Sequence, residues 1–372
     1  MTKVYREPIS ILIMASVRWY NAEAEYAFQL AEGLKKAGHS VTLFGIPESP
    51  LIKKAKENDI DVIDEINLMK GIHLCYIKDM IYFNRIIQER NFDLIHPHIS
   101  RDHTFIYLSR TDKSIPVIRT RNNSIPPNNN VFNRYFYAHS ADHYTVSSGS
   151  MVPTLRKIGV DESIISVVPL EIDQEKFIDY NCKRNLRREL AIPDDRIIVS
   201  FIGRLDRIKG VEHFIRSYPL LKDRRRFHYI ISGEEINITT DYLMNVADEL
   251  RIDNIAFLGR LHDVREILSV TDIGVIPSIG SEAICRIALE MLSFGIPIVG
   301  SNINSIPEII SDNYGIIVDP GRPEKIAEAL DSLAFGDVYR KMRNDIRLRI
   351  KKHSPERFIS SYCDIYLKTL DV

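Results

Sequence analysis

Nowhere in the chain do apolar residues run unbroken for the roughly 18 positions that a membrane-crossing helix needs. Any contact with a bilayer would therefore be peripheral. The opening stretch, MTKVYREPISILIMAS, is briefly apolar and soon followed by Arg18 and Asn21, so it reads as a first strand rather than a signal peptide. Cysteine is scarce: Cys75, Cys182, Cys285 and Cys363 are scattered without CxxC spacing, which indicates neither a disulfide framework nor a zinc site and suits a reducing cytoplasm. Net charge is almost absent, −1 over 372 residues, which argues against nucleic acid as a partner. Neither GxGxxG nor GxxxxGK followed by Ser or Thr occurs, so the chain carries neither a dinucleotide fingerprint nor a P-loop. There is no internal repeat of about 20–50 residues and no low-complexity tract.

What is present is a globular composition, 45% apolar and 27% charged, in a chain long enough for two domains with full cores. The most informative stretch runs from Asp272 to Gly300. Ile273, Val275 and Ile276 form a β-rich run that breaks at Pro277 and Gly280; Ile284, Ile287, Ala288 and Met291 then recur at helical spacing until Gly295, and Ile296 to Val299 read as the next buried strand. Glu282 falls at the mouth of this helix and Glu290 two turns inside it. Eight helical residues rise roughly 12 Å, too far for a glycosidase acid and base at about 5–9.5 Å. The spacing suits two grips on one extended ligand; the plainer reading makes Glu282 a helix cap and Glu290 a solvated side chain. Upstream, Ile197 to Ile202 form a strand leading into Gly203-Arg204 and then Lys209-Gly210 before another helix. A forked guanidinium, a compact ammonium and a helix N-terminus together make an anion site.

The first half alternates in the same way. Ile9 to Met14 is a near-continuous apolar run; a loop from Ala15 to Tyr20, a helix with Ala24, Ala27, Phe28, Ala31 and Leu34 on one face, and a strand from Val41 to Phe44 follow. This is the βαβ opening of a doubly wound domain, whose ligands bind outside the strand carboxyl ends. Lys53 to Asn67 shows no clear pattern. A helix over Lys78 to Glu89 leads to a strand ending at Leu94-Ile95, with His96, Pro97 and His98 on the loop at its tip and His103 starting the next helix. Arg119 and Arg121 lie at another strand end beside an Asn/Pro-rich loop, either pairing with a negatively charged acceptor or sitting as surface arginines. HYTVSS and ISVVPLEID supply two further strands. Between Asp173 and Arg196 the alternation lapses over a basic run, Lys183, Arg184, Arg187 and Arg188, read as a solvated helix face. That places the domain boundary at 178/179, with domains over 1–178 and 179–354. Lys341 to His353 reads as a basic, solvated helix.

A Glu, seven residues and a second Glu, set between a strand ending Pro-Ser and a Gly-x-Pro-x-Val run, with GR…KG upstream, resembles the donor-site signature of the family-4 retaining glycosyltransferases of the GT-B fold, glycosyl transferases group 1. LAEGLKKAGHSV in the first half and the strand-end His-x-His resemble the same family. The resemblance implies an α/β protein of two Rossmann-like, doubly wound domains facing across a cleft, with the helix over 355–372 crossing back onto the first. It implies transfer of a sugar from a nucleotide-sugar donor to an acceptor hydroxyl with retention, without metal or further cofactor, in synthesis of cell-surface polysaccharide, lipopolysaccharide or glycoconjugates. By the same resemblance Arg204 and Lys209, after Gly203, grip the donor diphosphate, Glu282 contacts the donor sugar and Glu290 the ribose. Gly259 and Leu261 line the base pocket, Arg286 and Ile287 belong to the donor side, and His98 faces the reaction centre. Partners are then the nucleotide sugar and a sugar, lipid-linked or glycoconjugate acceptor, with no nucleic acid, in the cytoplasm or at the inner face of the membrane.

The chain also departs from the family. The usual Gly-Gly-x-Glu of the first loop is Trp19-Tyr20-Asn21-Ala22, which makes Trp19 and Asn21 candidates for acceptor contact. Gly-Phe after the first Glu is Ala283-Ile284, Asn-Gly after the last strand of the first half is Leu170-Glu171, and the downstream Gly-Gly-x-x-Glu is Asn304-Ser305-Ile306-Pro307-Glu308. A non-catalytic sugar-nucleotide binding module, or a GT-B epimerase or phosphorylase, is the alternative.

Overall fold

The computed structural model describes residues 8–70, 75–109, 114–123, 125–178, 180, 185–280, 282–310, 313–350 and 354–370. It divides into two compact units, Met1–Leu170 with Pro355–Val372, and Glu171–Ser354. The division falls ahead of the 178/179 boundary read from the sequence, and Lys183 and Arg184 of the basic run lie outside the described residues.

In the first unit the strands are β1 (Ser10–Met14), β2 (Ser40–Phe44), β3 (Asp61–Ile63), β4 (Leu94–Pro97), β5 (Ile118–Thr120), β6 (His143–Val146) and β7 (Ile165–Val167). They pair in parallel in the orders β3-β2-β1-β4 and β5-β6-β7. A parallel bridge between Ile95 and Val117 joins the two sets. The chain winds outward from β1 to β3 and then returns to the other side of β1 with β4, so the strand order reverses between β1 and β4. In open α/β sheets such a reversal splays the following loops apart and leaves a crevice at the strand carboxyl ends.

The stretch without a clear pattern resolves into a helix, Pro50–Glu57, and the edge strand β3. Its signals were local: Ser49 caps the helix, and Pro50 opens it. Pairing with β1 in the register Ile13 to His96 and Met14 to Pro97 carries β4 further than its apolar run suggested. His96 therefore lies within the strand, and His98 is the first residue beyond it; His103 lies inside the helix Ser100–Ser109.

The helix Pro355–Thr369 belongs to the first unit and packs on the helix Ala22–Lys36. A Cβ on Gly33 would come within 2.2 Å of Ile359 Cδ1, so glycine sets this approach. The buried face is polar as well as apolar. Tyr26 donates to Val168 O at 2.7 Å, its hydroxyl meets that of Tyr362 at 2.8 Å, and Tyr362 reaches Thr120 and Thr145 at 3.0 and 3.1 Å. His96 is held at both ring nitrogens, by Tyr366 and Thr120, each at 2.7 Å. Every member has a partner, as a network in low dielectric requires.

The second unit has β8 (Ile197–Ile202), β9 (Phe227–Ser232), β10 (Ile255–Phe257), β11 (Ile273–Ile276), β12 (Ile298–Ser301) and β13 (Gly315–Val318) in one parallel sheet ordered β10-β9-β8-β11-β12-β13. Apolar clusters cover both faces, one around Val199, Phe214 and Leu330, the other around Ala288, Met291 and Ile306. Here the order reverses between β8 and β11.

The first unit buries several histidines in neutral form. Burial holds His96 and His103 well below the ordinary 6.5, His98 at about 3 and His143 at about 4. Their folded pKa values lie below the unfolded one, so their contribution is complete above pH 6.5 and is lost as pH falls. Asp102, raised by burial from 3.8 to about 6, and Glu23, also raised by burial, oppose this in the acid range, but they are two groups against four. The urea midpoint should therefore be lower at about pH 5.5 than at about pH 7.5; equal midpoints would contradict the neutral burial of these rings.

Candidate functional site

Three loops meet at the carboxyl ends of β8, β11 and β12. The first, after β8, runs through Gly203 and Arg204 to a single turn of 3-10 helix, Arg207–Lys209, capped by Asp206 and closed by Gly210 at φ +70°. Gly210 presses against β11's exit: a Cβ there would lie 1.9 Å from the Pro277 carbonyl oxygen. The Ile279 N–H donates to Ile208 O at 2.8 Å, and a Cβ on Gly280 would touch Ile208 at 3.0 Å. The β8 and β11 loops are thus packed backbone to backbone at the reversal of the sheet.

Across this contact Lys209 Nζ donates to Glu282 Oε1 at 2.5 Å. Ser278 Oγ donates to the same oxygen at 2.6 Å. The pair is mostly shielded, the side chains being 18% and 9% exposed. The β12 loop fixes Glu282 from its backbone side: Ser305 donates to the Glu282 carbonyl from Oγ at 2.7 Å and from N at 3.2 Å, and Asn304 Oδ1 accepts from the Glu282 N–H at 3.4 Å. Asn304 takes φ +46°, the left-handed conformation that asparagine tolerates, where the family pattern has glycine. Arg204 is exposed and has no side-chain partner among the described residues. Cys285, buried beside Glu282, has its thiol pushed well above the ordinary range by burial and then by that carboxylate.

The helix bearing Glu290 begins only at Arg286, so the segment from Glu282 to Cys285 is not helical. Glu282 is therefore not the cap, Glu290 sits one turn in rather than two, and the 12 Å rise does not apply. Neither carboxylate is solvated: Glu290 is buried and bonded by Arg286 Nε at 2.7 Å. Gly274 lets this helix lie close on β11, since a Cβ would meet Met291 Sδ at 2.3 Å. Ile287 packs partly against the adjoining core. The Gly259 carbonyl is held by Ser232 Oγ at 2.6 Å and by the Gly233 N–H at 2.9 Å, and Leu261 packs partly against Ile198 and its neighbours. Ser278, Asn304 and Ser305 were missed as site residues; the sequence signal was their place directly after strands.

In the first unit the predicted acceptor residues have other duties. Asn21 is exposed but its side chain caps the helix Ala22–Lys36, accepting from Ala24 N at 2.9 Å. Trp19 is 70% exposed, with Arg18 over its ring. Arg119 and Arg121 are not surface arginines: both are buried, Arg119 donating to Pro97 O at 3.1 Å, Thr120 O and Ser100 Oγ, and Arg121 to the carbonyls of Asn123 and Ile125. His98 is buried just beyond β4, its N–H donating to Met14 O at 2.8 Å. Desolvation first, then the positive charge of Arg119, keeps its ring neutral. No helix among the described residues is long and apolar enough to cross a membrane.

Known proteins share this fold. A glycosyltransferase of Rickettsia africae superposes with a TM-score of 0.87 at 20% identity, covering 98% of this chain and 99% of that one. Anabaena HepE, in complex with UDP and glucose, superposes at 0.80 with 13% identity over 96% and 98% of the two chains. In sequence, an uncharacterized glycosyltransferase of Methanocaldococcus jannaschii is 29% identical, the match spanning 52% of this chain and only 53% of that protein. A D-inositol 3-phosphate glycosyltransferase of Corynebacterium glutamicum is 28% identical over 70% of this chain and 68% of its own length. Residues 24–176 match the model of Glycosyltransferase Family 4, and residues 183–353 that of Glycosyl transferases group 1. With both halves accounted for in the family's order, the chain belongs to the family 4 glycosyltransferases of the GT-B fold.

Proposed function

We propose that the protein transfers a sugar from a nucleotide-sugar donor to an acceptor hydroxyl with retention at the anomeric carbon, in the synthesis of cell-surface polysaccharide, lipopolysaccharide or glycoconjugates. The observation that carries this reading is the Lys209–Glu282 pair at the reversal of the second sheet, with Arg204 on the same β8 loop, exposed and without a side-chain partner among the described residues. An ammonium keeps further N–H donors after serving one carboxylate oxygen, and Arg204 offers its whole fork. Together they suit a diphosphate, while Glu282, braced by Ser278 and Ser305, is held where it can accept from a sugar hydroxyl. UDP bound to HepE, a protein of the same fold, is in keeping with a nucleotide donor.

In the reaction, the bond between the anomeric carbon and the diphosphate oxygen breaks as the acceptor oxygen bonds to that carbon on the same face. The acceptor proton passes to the departing phosphate. Charge builds on the diphosphate, and Lys209, already fixed in place by Glu282, stabilises it without reorganising, with Arg204 added to it. His98, neutral because it is buried, acts by orientation through one hydrogen bond rather than as a proton reservoir. The reading needs no metal. The Asp59-Ile60-Asp61 triplet enters the edge strand β3, where Asp61 pairs with Arg90 and accepts from Thr42 at 3.0 Å, away from either sheet reversal.

Lys209→Ala should lower turnover by about 10²–10³ with the true donor, the range for losing one fixed charge stabiliser. Because it also strands a buried carboxylate, at a cost of about 3–5 kcal/mol, rates are to be compared well below the variant's melting temperature. Wild-type turnover in a folded variant would exclude the clamp.

Transfer should continue in EDTA without loss, and proton NMR of the first product formed should show the donor's anomeric configuration. Activity abolished by EDTA and restored by Mn²⁺, or an inverted product, would overturn the corresponding part of the reading.

A further inference from the structure

The bonds from the β12 loop to the backbone of Glu282 come from Asn304 and Ser305, the two residues that stand where the family pattern has Gly-Gly. Side chains therefore do here what glycines cannot. Ser305 uses its hydroxyl fully, donating to the Glu282 carbonyl at 2.7 Å. Asn304 uses only half of its amide. A backbone N–H needs an acceptor, so the atom that meets the Glu282 nitrogen at 3.4 Å is Oδ1, and this one bond fixes which way the amide is turned. Nδ2 is then the free end. Its two N–H donors have no hydrogen-bond partner among the described residues, and the residue is partly exposed. The backbone at φ +46°, which asparagine tolerates, is what brings the side chain to Glu282.

Glu282 supplies the complementary half. Its N–H and its carbonyl are both engaged by the β12 loop, so the carboxylate is what it has left to offer a ligand. Lys209 and Ser278 donate to Oε1, and the Cys285 thiol bonds the same carboxylate. A carboxylate has about four acceptor sites, so these three donors leave room for one more. An acceptor and a free donor are thus held side by side, on two residues tied to each other by a hydrogen bond. They match a group that both donates and accepts. A sugar hydroxyl does this through one oxygen, and an acetamido group through its N–H and its carbonyl. A carboxylate or phosphate on the sugar only accepts, and would meet Glu282 with like charge.

We propose that Asn304 is a specificity-determining residue of the donor site: its Nδ2 donates to a hydroxyl or acetamido group of the transferred sugar, and that group donates in turn to Glu282. This rests on the nucleotide-sugar reading above and adds to it the class of sugar, one with a neutral group of both polarities where deoxy and anionic sugars have none. The side chain takes a part that a glycine at this position could not.

The test is calorimetric titration of the full chain, without acceptor, using each nucleoside diphosphate beside its sugar forms: UDP with UDP-glucose and UDP-N-acetylglucosamine, GDP with GDP-mannose, ADP with ADP-glucose and TDP with TDP-glucose. The quantity to follow is the affinity for the sugar form divided by that for the bare diphosphate, in which any effect on the diphosphate alone cancels. Asn304→Gly, whose backbone adopts φ +46° freely, should lower this ratio about five-fold for the sugar that the wild type prefers, the loss of one hydrogen bond. Asn304→Asp keeps an acceptor for the Glu282 N–H but has no N–H of its own, and should lower the ratio at least as far. An unchanged ratio in Asn304→Gly would overturn the proposal. So would a wild-type ratio in Asn304→Asp, since Asn304 would then only brace the loop. The wild type's preference between UDP-glucose and UDP-N-acetylglucosamine tells a hydroxyl from an acetamido group. If no diphosphate binds, the donor reading fails and this inference falls with it; if a diphosphate binds and none of its sugar forms does, this inference alone fails.

Discussion

The candidate site of the second unit is built on one ion pair between two loops. Lys209 and Glu282 lie far apart in sequence and meet only because β8 and β11 are neighbours in the sheet. Their attraction is strong because the backbone around them excludes water. Gly210 against the Pro277 carbonyl, Ile279 bonded to Ile208, and Ser305 bonded to the Glu282 carbonyl leave the two side chains little freedom. A buried pair of this kind is weak evidence for stability, since desolvation offsets much of the Coulomb gain. What it provides is an ammonium and a carboxylate fixed at the end of a rigid sheet, and that is the preorganisation electrostatic catalysis calls for.

The same topology is used twice. In each sheet the chain winds outward on one side, returns to the other, and leaves its polar cluster at the strand ends where the order reverses. The second cluster has Arg204 exposed and without a side-chain partner among the described residues. At the first reversal the arginines Arg119 and Arg121 are buried and bonded inward, to the protein's own oxygens. The two reversals thus differ in which cations are already occupied by the protein's own oxygens.

Much of this was legible in the sequence, for reasons that vary by element. Near-continuous apolar runs such as Ile197–Ile202, broken only by Ser200, marked central strands because both of their faces are covered. The GR…KG string and the two glutamates were legible because strand-end positions are few and their residue types unusual. The contacts they make were not. Lys209 bonding Glu282, or Arg119 turning to the Pro97 and Thr120 carbonyls, follows from strand pairing that no local pattern encodes. Asn304 looked like the loss of a glycine, yet its φ of +46° shows the backbone conformation kept by another residue that tolerates it. Ser16 and Asp102 gave no signal, because the bond from the Ser16 N–H to Asp102 follows from the pairing of β1 with β4.

The central claim, that the β8 and β11 loops of the second unit form a diphosphate site, is tested most directly by calorimetric titration with UDP, GDP, ADP and TDP in turn. At least one should bind the wild type, and Arg204→Ala, which removes an exposed side chain without a partner among the described residues, should weaken that binding about ten-fold or more. If none of the four binds, or if the one that binds does so equally well without Arg204, the site is not what its geometry indicates.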